Sequence, residues 1–515
     1  MKKLLQNVLR ASVLMAAAAT FLVGCKKDDE NKSIVTFMVK NGTEVVADAA
    51  VTFNGITNSA GNYIFTDIND GSYTYSVVKS GFETKTGNVT ISGDKTVEVD
   101  LSGAEVATGE VSGNITQNTT WAKSVVMNGW IYVKSGATLT IKEGTLIKGK
   151  TGTKASLIIE RGAKIMAIGT ASQPIVFTSA SAPGQRAAGD WGGIIILGNA
   201  KINPSGGIAV IEGGVGSEYG GTNDADNSGT LQYVRIEFPG IPFEPNKEIN
   251  GLTLGGVGSG TTIDHIQVSY SGDDSYEWFG GTVNAKYIVA LAGIDDDFDT
   301  DYGFSGNVQF AVALRNPNTA DAAGDSNGFE SDNDGTGSGN APFTSAKFSN
   351  VSFFGPLATK TTTYSNYFNS GARLRRNTKL SAYNTVFAGF PYGVFIEGTT
   401  TQTNATNNEL QLKNCVVAGM LNNYKDKSGE AFDEGTIFST ANGDRLFAEN
   451  SELMLENPFN LTNPNFMPKA GSPLLSGAAF TGLPSFFEQV TFVGAFGTQN
   501  WMAGWTNFDP QNTAY

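Results

Sequence analysis

The sequence predicts an all-β protein, a small β-sandwich followed by a long parallel β-helix, on three observations. First, 63 glycines, 32 phenylalanines and only 16% charged residues in a chain of 515 describe a glycine-punctuated, aromatic-rich protein with ample core. Second, from about residue 104 the chain repeats itself without gaps: Ala137 to Ile147 aligns with Ala155 to Ile165, Leu231 to Gly240 with Ile263 to Gly272, and Leu380 to Gly389 with Leu410 to Gly419. Irregular periods around a constant β core describe coils of one solenoid carrying insertions of varied length. Third, short β-rich runs between Ser33 and Leu101 are divided by Asn-Gly, Ala-Gly-Asn and Asn-Asp-Gly turns, the spacing of a small sandwich.

Residues 1–24 carry Lys2, Lys3 and Arg10 around a Leu/Val/Ala core too short and too small in side-chain volume for a stable membrane span, which reads as an export signal. It ends in Leu22-Val23-Gly24-Cys25, a lipobox. Acylation of the Cys25 sulfur and cleavage ahead of it would make Cys25 the first residue of a mature lipoprotein. Each buried acyl methylene contributes about 0.8 kcal/mol, so several chains anchor such a protein without a transmembrane helix. Residues 25–33 form the tether. Its Lys26-Lys27-Asp28-Asp29-Glu30 resembles the signal that sends Bacteroidota lipoproteins to the outer face of the outer membrane, which implies a cell-surface location.

Within residues 34–102, the order GTEVVADAAVTFNG followed by TNSAGNYIFTDINDGSYTYSVVKSGFET resembles the transthyretin-like module of the carboxypeptidase regulatory-like family. The resemblance implies a spacer or accessory domain and supplies no catalytic residue. Within residues 104–515, ERGAKIMAIGTASQPIVFTS and GDWGGIIILGNAKIN resemble the N-terminal coils of exported bacterial right-handed β-helix proteins. NPNFMPKAGSPLLSGA resembles the closing segment of pectate-lyase-like helices. These likenesses imply architecture rather than activity, because the same fold hosts lyases, hydrolases, epimerases, adhesins and inert stalks. The repeats place Val234, Ile266, Ile236 and Val268 inward and His265 outward, without a role. Asn350, Asn384 and Asn414 are expected in an internal turn whose amides stack as a ladder, and Trp501, Trp505 and Phe508 in a C-terminal cap.

Composition excludes several chemistries. With Cys25 acylated, Cys415 has no disulfide partner, and the single His265 makes a His-rich zinc site implausible. Net charge is −14, and residues 271–334 hold thirteen carboxylates against Lys286 and Arg315, a net of −11. Such a field repels nucleic acid and attracts cations.

Candidate ligands cluster in that segment. In Asp295-Asp-Asp-Phe-Asp-Thr-Asp301, an extended chain projects Asp295, Asp297, Asp299 and Asp301 from one face, a concentration of hard oxygen ligands that suits calcium. Asp325, Glu330, Asp332 and Asp334 follow about one coil later, and Asp273, Asp274 and Glu277 precede by about one coil. No EF-hand is formed, since Gly303 falls one place late and Val308 stands where a bidentate Glu is needed. Arg373, Arg375 and Arg376 are the weak catalytic candidates: calcium with a basic side chain can abstract the proton beside a uronate carboxylate.

The expected role is therefore a surface lipoprotein that binds extracellular glycan or an outer-membrane partner through a calcium-ordered acidic flank. A calcium-dependent polysaccharide lyase is the alternative from another class, and a structural stalk or adhesin a third. Cys25→Ala should abolish acylation and release the protein from membranes on cell fractionation; a variant still membrane-bound would remove the lipoprotein expectation.

Overall fold

The computed structural model describes residues 32–515 apart from 42–43, 60, 80–83, 102–105, 245–246, 323 and 428. The export signal, Cys25 and most of the tether lie outside the described residues. The chain divides at Ala104 and Glu105 into two compact units. Among the described residues no helix is long and apolar enough to cross a membrane.

The first unit is a sandwich. Ser33–Asn41 pairs with Glu44–Val45, Ile64–Ile68 and Lys95–Asp100, while Ile56–Ser59, Ala50–Phe53, Gly71–Val78 and Lys85–Ile91 form a second sheet. Alternation along Ser33–Asn41 turns Val35, Phe37 and Val39 inward, where Phe37 meets Phe53 of the other sheet at 5.3 Å between ring centroids. Gly87 lies across the ladder from Tyr75, and a Cβ there would fall 2.5 Å from the tyrosine ring.

The second unit is a right-handed parallel β-helix of three sheets. Single long strands supply sheets one and two: Gly229–Glu237, Thr262–Ser269, Asn284–Leu291, Asn307–Leu314 and Lys347–Phe354 each bend once between them. Sheet three holds Leu252–Gly255, Tyr276–Phe279, Phe298–Asp301, Phe329–Ser331, Ser370–Leu374 and Tyr392–Ile396. The repeats Leu231/Ile263, Val234/Ile266, Ile236/Val268 and Val386/Val416 are true register neighbours. The earliest repeat is not. Leu139 stacks on Ile165, and Leu157 on Ile131 and Ile194, so the aligned strands Thr138–Ile141 and Ser156–Ile159 lie at different faces of the coil. A strand, a glycine turn and another strand recur at more than one corner of a coil, which makes unlike corners look alike in sequence.

At the bend between sheets one and two a single non-glycine residue takes the left-handed conformation in coil after coil: Tyr233, His265, Tyr287, Phe310, Asn350, Asn384 and Asn414, with φ between 51° and 59°. That conformation costs about 1–2 kcal/mol for an L-residue. Stacking offsets it. Tyr233 and His265 lie 4.3 Å apart, His265 and Tyr287 4.5 Å, and Tyr287 and Phe310 5.1 Å; asparagine tolerates the region on its own. The three asparagines thus sit in a recurrent turn, but their amides form no ladder with one another. Asn384 and Asn350 instead bond the main chain of the C-terminal segment, at Ala479 and Phe492.

Residues 478–515 run back along the outside of sheet two. Gln309 exchanges two bonds of 2.8 Å with the Glu488 backbone, and Gln267 does the same with Asn507 at 2.7 and 2.8 Å, so each side-chain amide imitates a ladder partner. Trp501, Trp505 and Phe508 belong to this segment and cover the flank rather than close an end. Trp505 stands 5.6 Å from His265 and 5.9 Å from Tyr233, and Trp501 5.5 Å from Tyr287. His265 does face outward, yet it is a packed rung under tryptophan. His265→Ala should accordingly cost about 1–3 kcal/mol in denaturant unfolding, beyond the usual effect of a surface change. Gln309→Ala should cost about 2 kcal/mol by stranding both Glu488 backbone groups.

Candidate functional site

Parallel stacking without slip decides which side chains meet on sheet three. Tyr276, Trp278, Phe298 and Phe329 point inward, so the intervening residues point out. Register then aligns Thr253, Glu277, Asp299, Glu330, Arg373 and Phe395 in one outward column. Lys425 continues it, one residue beyond the Val394–Tyr424 pair and donating its N–H to Val394 O at 3.0 Å. Successive rungs are about 4.8 Å apart. The column therefore runs from carboxylates to cations along the helix.

Three overlapping triads of carboxylates form at its acidic end: Asp273, Asp274 and Asp295; Asp274, Glu277 and Asp299; Asp296, Asp299 and Glu330. Within each triad one oxygen from every member lies within 4.8 Å of the others. Two full charges at that separation repel by roughly 3–4 kcal/mol at an effective dielectric near 20. Burial, reinforced by neighbouring carboxylates, holds Asp274, Glu277 and Asp299 well above the ordinary carboxylate range. Asp296 and Asp301 are raised in the same way, Asp295 to about 7 and Glu330 to about 8. Without a cation the cluster keeps protons.

The middle triad has the strongest claim on a metal. Asp274 and Glu277 are 6% and 7% exposed and form no ion pair with arginine or lysine among the described residues. Asp299 Oδ1 is buried without a hydrogen-bond partner, as are Thr253 Oγ1, in register with Glu277, and Asn250 Oδ1, whose own amide donates to Glu277 and, at 3.2 Å, to Glu212. Carboxylates beside partnerless hydroxyl and carbonyl oxygens make a hard donor set that suits a divalent cation.

The predicted ligands divide accordingly. Asp295, Asp299 and Glu330 belong to triads. Asp301 faces out beside them and accepts from Tyr302 N–H at 2.6 Å. Asp297 is no surface ligand: it is fully buried against Arg315 at 3.0 Å, and burial outweighs that guanidinium to push its carboxyl up to about 6. Asp325 pairs with Arg373 at 3.0 Å, and Asp332 with Arg375 at 2.9 Å and Arg376 at 2.6 Å. Asp334 accepts from Thr336 and Ser338, bonds that outweigh its burial and bring it down to about 2, so it is spent on its own turn. Asp273, Asp274 and Glu277, which the sequence placed beside the cluster without assigning them to the metal, are triad members, and Asp296 was missed. A 22-residue likeness, Asp273-Asp274-Ser-Tyr-Glu277 against Asp295-Asp296-Asp-Phe-Asp299, was the available signal, and it is the register in which the two strands pair.

The arginines do reach the acidic face. Arg373 contacts Asp325, Glu330 and Glu397, and Arg375 clasps Glu330 and Asp332. Burial disfavours the Arg375 charge, but Glu330 and Asp332 outweigh it and hold the guanidinium above its ordinary value, which leaves it no capacity to take a proton. Past Arg373, Lys425 stands over the Tyr392 and Phe395 rings at 5.0 and 5.2 Å and donates to Asn369 Oδ1 at 2.7 Å; burial lowers its pKa.

Carboxyls raised on folding stabilise the native chain only while they are protonated. As pH climbs from the unfolded carboxylate range near 4 past about 8, the unfolded chain releases protons more readily and metal-free stability falls. Thermal scans of chelator-treated protein should therefore show a lower Tm at pH 8 than at pH 5, and calcium should remove the difference. Against known proteins, no curated sequence matches the chain. The model of the pectate-lyase like beta helix domain matches residues 109–506, three-quarters of its length and all the strands that build the column. The chain belongs to the pectate-lyase like β-helix family.

Proposed function

We propose that this protein is a lipoprotein anchored through Cys25 at the outer membrane, facing the exterior, whose β-helix binds an acidic extracellular glycan with the help of calcium. The sandwich serves as a spacer from the membrane. The observation that carries the glycan reading is the outward column of sheet three, where cation ligands at Glu277 and Asp299 give way to Arg373, Phe395 and Lys425. A cation in the middle triad can bridge to a sugar carboxylate, an aromatic ring supports the apolar face of a sugar, and Arg373 with Lys425 answers a further anionic group. Binding is favoured over catalysis because the three arginines are fixed in ion pairs.

The lyase reading rests on one group, Lys425, whose charge burial disfavours and which could accept a proton. Ultraviolet absorbance of an unsaturated product from uronate polymers would establish it; silence with every polymer that binds would exclude it.

Calcium at a hundredfold excess over its Kd should add about 2.7 kcal/mol of stability, read as a rise in Tm. Glu277→Gln with Asp299→Asn should erase the rise, and magnesium should replace calcium poorly in a flexible multi-carboxylate site. Asp297→Asn should weaken the fold by stranding Arg315 while leaving the calcium effect intact. Calorimetry without saturable calcium binding at millimolar concentration would overturn the proposal.

A further inference from the structure

The C-terminal segment leaves a gap in its cover of the bend. Trp505 packs on Tyr233 and His265, Trp501 on Tyr287, and Phe492 on Phe310 at 6.2 Å. Between Trp501 and Phe492 the cover parts over a cavity of about 210 Å³. Tyr287 and Phe310, stacked at 5.1 Å, line it from the bend, and the exposed residues Glu488, Thr498 and Gln499 complete its lining from the segment. The ring walls are held in place. Trp501 lies flat on Phe496 at 5.1 Å, and its indole N–H donates to Ala495 O at 2.9 Å. The Phe492 carbonyl accepts from Asn350 Nδ2 at 2.9 Å. A Cβ on Gly497 would fall 2.5 Å from the Phe492 ring, so glycine lets the chain close round that ring.

The polar groups around the cavity are uncommitted. The Tyr287 hydroxyl and the side chains of Thr498 and Gln499 make no hydrogen bond with another described residue. Burial, reinforced by the Glu488 charge, pushes the Tyr287 hydroxyl up to about 12, so at neutral pH it keeps a proton to donate. Aromatic walls with hydroxyl and amide groups at the edge fit a ligand that has an apolar face and a hydroxylated rim. Charge narrows the class. Glu488 pairs with Lys286 at 2.6 Å, so the lining carries a balanced pair and favours neither an ammonium nor a carboxylate. Size narrows it further. Sites that hold drug-sized ligands run to about 300–1,000 Å³, and this smaller space suits one ring.

We infer that this cavity binds one neutral pyranose unit, with its apolar face against Trp501 and its hydroxyls toward Thr498, Gln499 and the Tyr287 hydroxyl. The site lies between the bend and the C-terminal segment, away from the carboxylates of sheet three, and needs no cation. It would give the protein a second sugar contact, uncharged where the column is ionic.

Saturation-transfer NMR on the full chain, with methyl glucoside, methyl galactoside and methyl mannoside as probes, should show transfer to the ring C–H protons of at least one of them, undiminished by chelator. Val490 also lines the cavity, and Val490→Trp, which fills the space while keeping every ring of its wall, should abolish the transfer. Thr498→Ala with Gln499→Ala, both exposed and so harmless to the fold, should weaken binding about tenfold. Transfer that survives Val490→Trp or is unchanged in the double variant would place the sugar elsewhere and overturn the inference. Loss of transfer in chelator would assign the sugar to the calcium column instead, with the same result. Choline bound in preference to all three probes, or no transfer to any of them, would overturn it as well and leave the calcium proposal standing.

Discussion

Everything distinctive about this molecule follows from parallel stacking in register. When one coil lies on the next without slip, each side chain faces its counterpart about 4.8 Å away, and any property repeated at one position is multiplied along the helix. Inside, repetition is favourable, because aromatic and aliphatic residues such as Phe298, Phe329, Phe353 and Phe387 fill one continuous core. Outside, repetition of charge is unfavourable. Glu277, Asp299 and Glu330 stand in file, and the fold must answer their repulsion.

It does so in three ways. Protons can remain on the buried carboxyls, as their raised pKa values indicate. Arginines from the next coils can neutralise the file, as Arg373 and Arg375 do at Glu330 and Asp332. A cation can take the triad of Asp274, Glu277 and Asp299. Only the last is reversible by ligand at neutral pH, and it would place a positive charge on an otherwise anionic face. In the proposed function, stability and recognition draw on the same carboxylates.

The opposite flank shows the same principle with a different outcome. Repetition of the left-handed bend between sheets one and two creates a file of strained residues, and ring stacking with hydrogen bonds to the C-terminal segment compensates. That segment reaches from Ala479 beside Asn384 to Asn507 beside Gln267 and seals the outer face of sheet two. The charged column of sheet three points away from the core, yet most of it is buried, with Glu277 7% exposed.

The sequence by itself determined the all-β architecture, the inward positions Val234, Ile266, Ile236 and Val268, and the segment in which the charge gathers, because a two-residue alternation and a coil-length repeat are written directly in residue order. It also determined the parity that turns Asp299 and Asp301 outward. Tertiary structure alone decided which carboxylates share a site. Asp297 has the favourable parity but is sealed by Arg315, Asp334 closes its own turn, and Asp274 and Glu277 join Asp299 across coils. It also decided that Arg373 and Arg375 meet the acids, and that Trp501 and Trp505 lie on a flank rather than at an end. These outcomes depend on the insertion lengths between coils, which set the register of residues 20 to 60 positions apart, and no local pattern records that register.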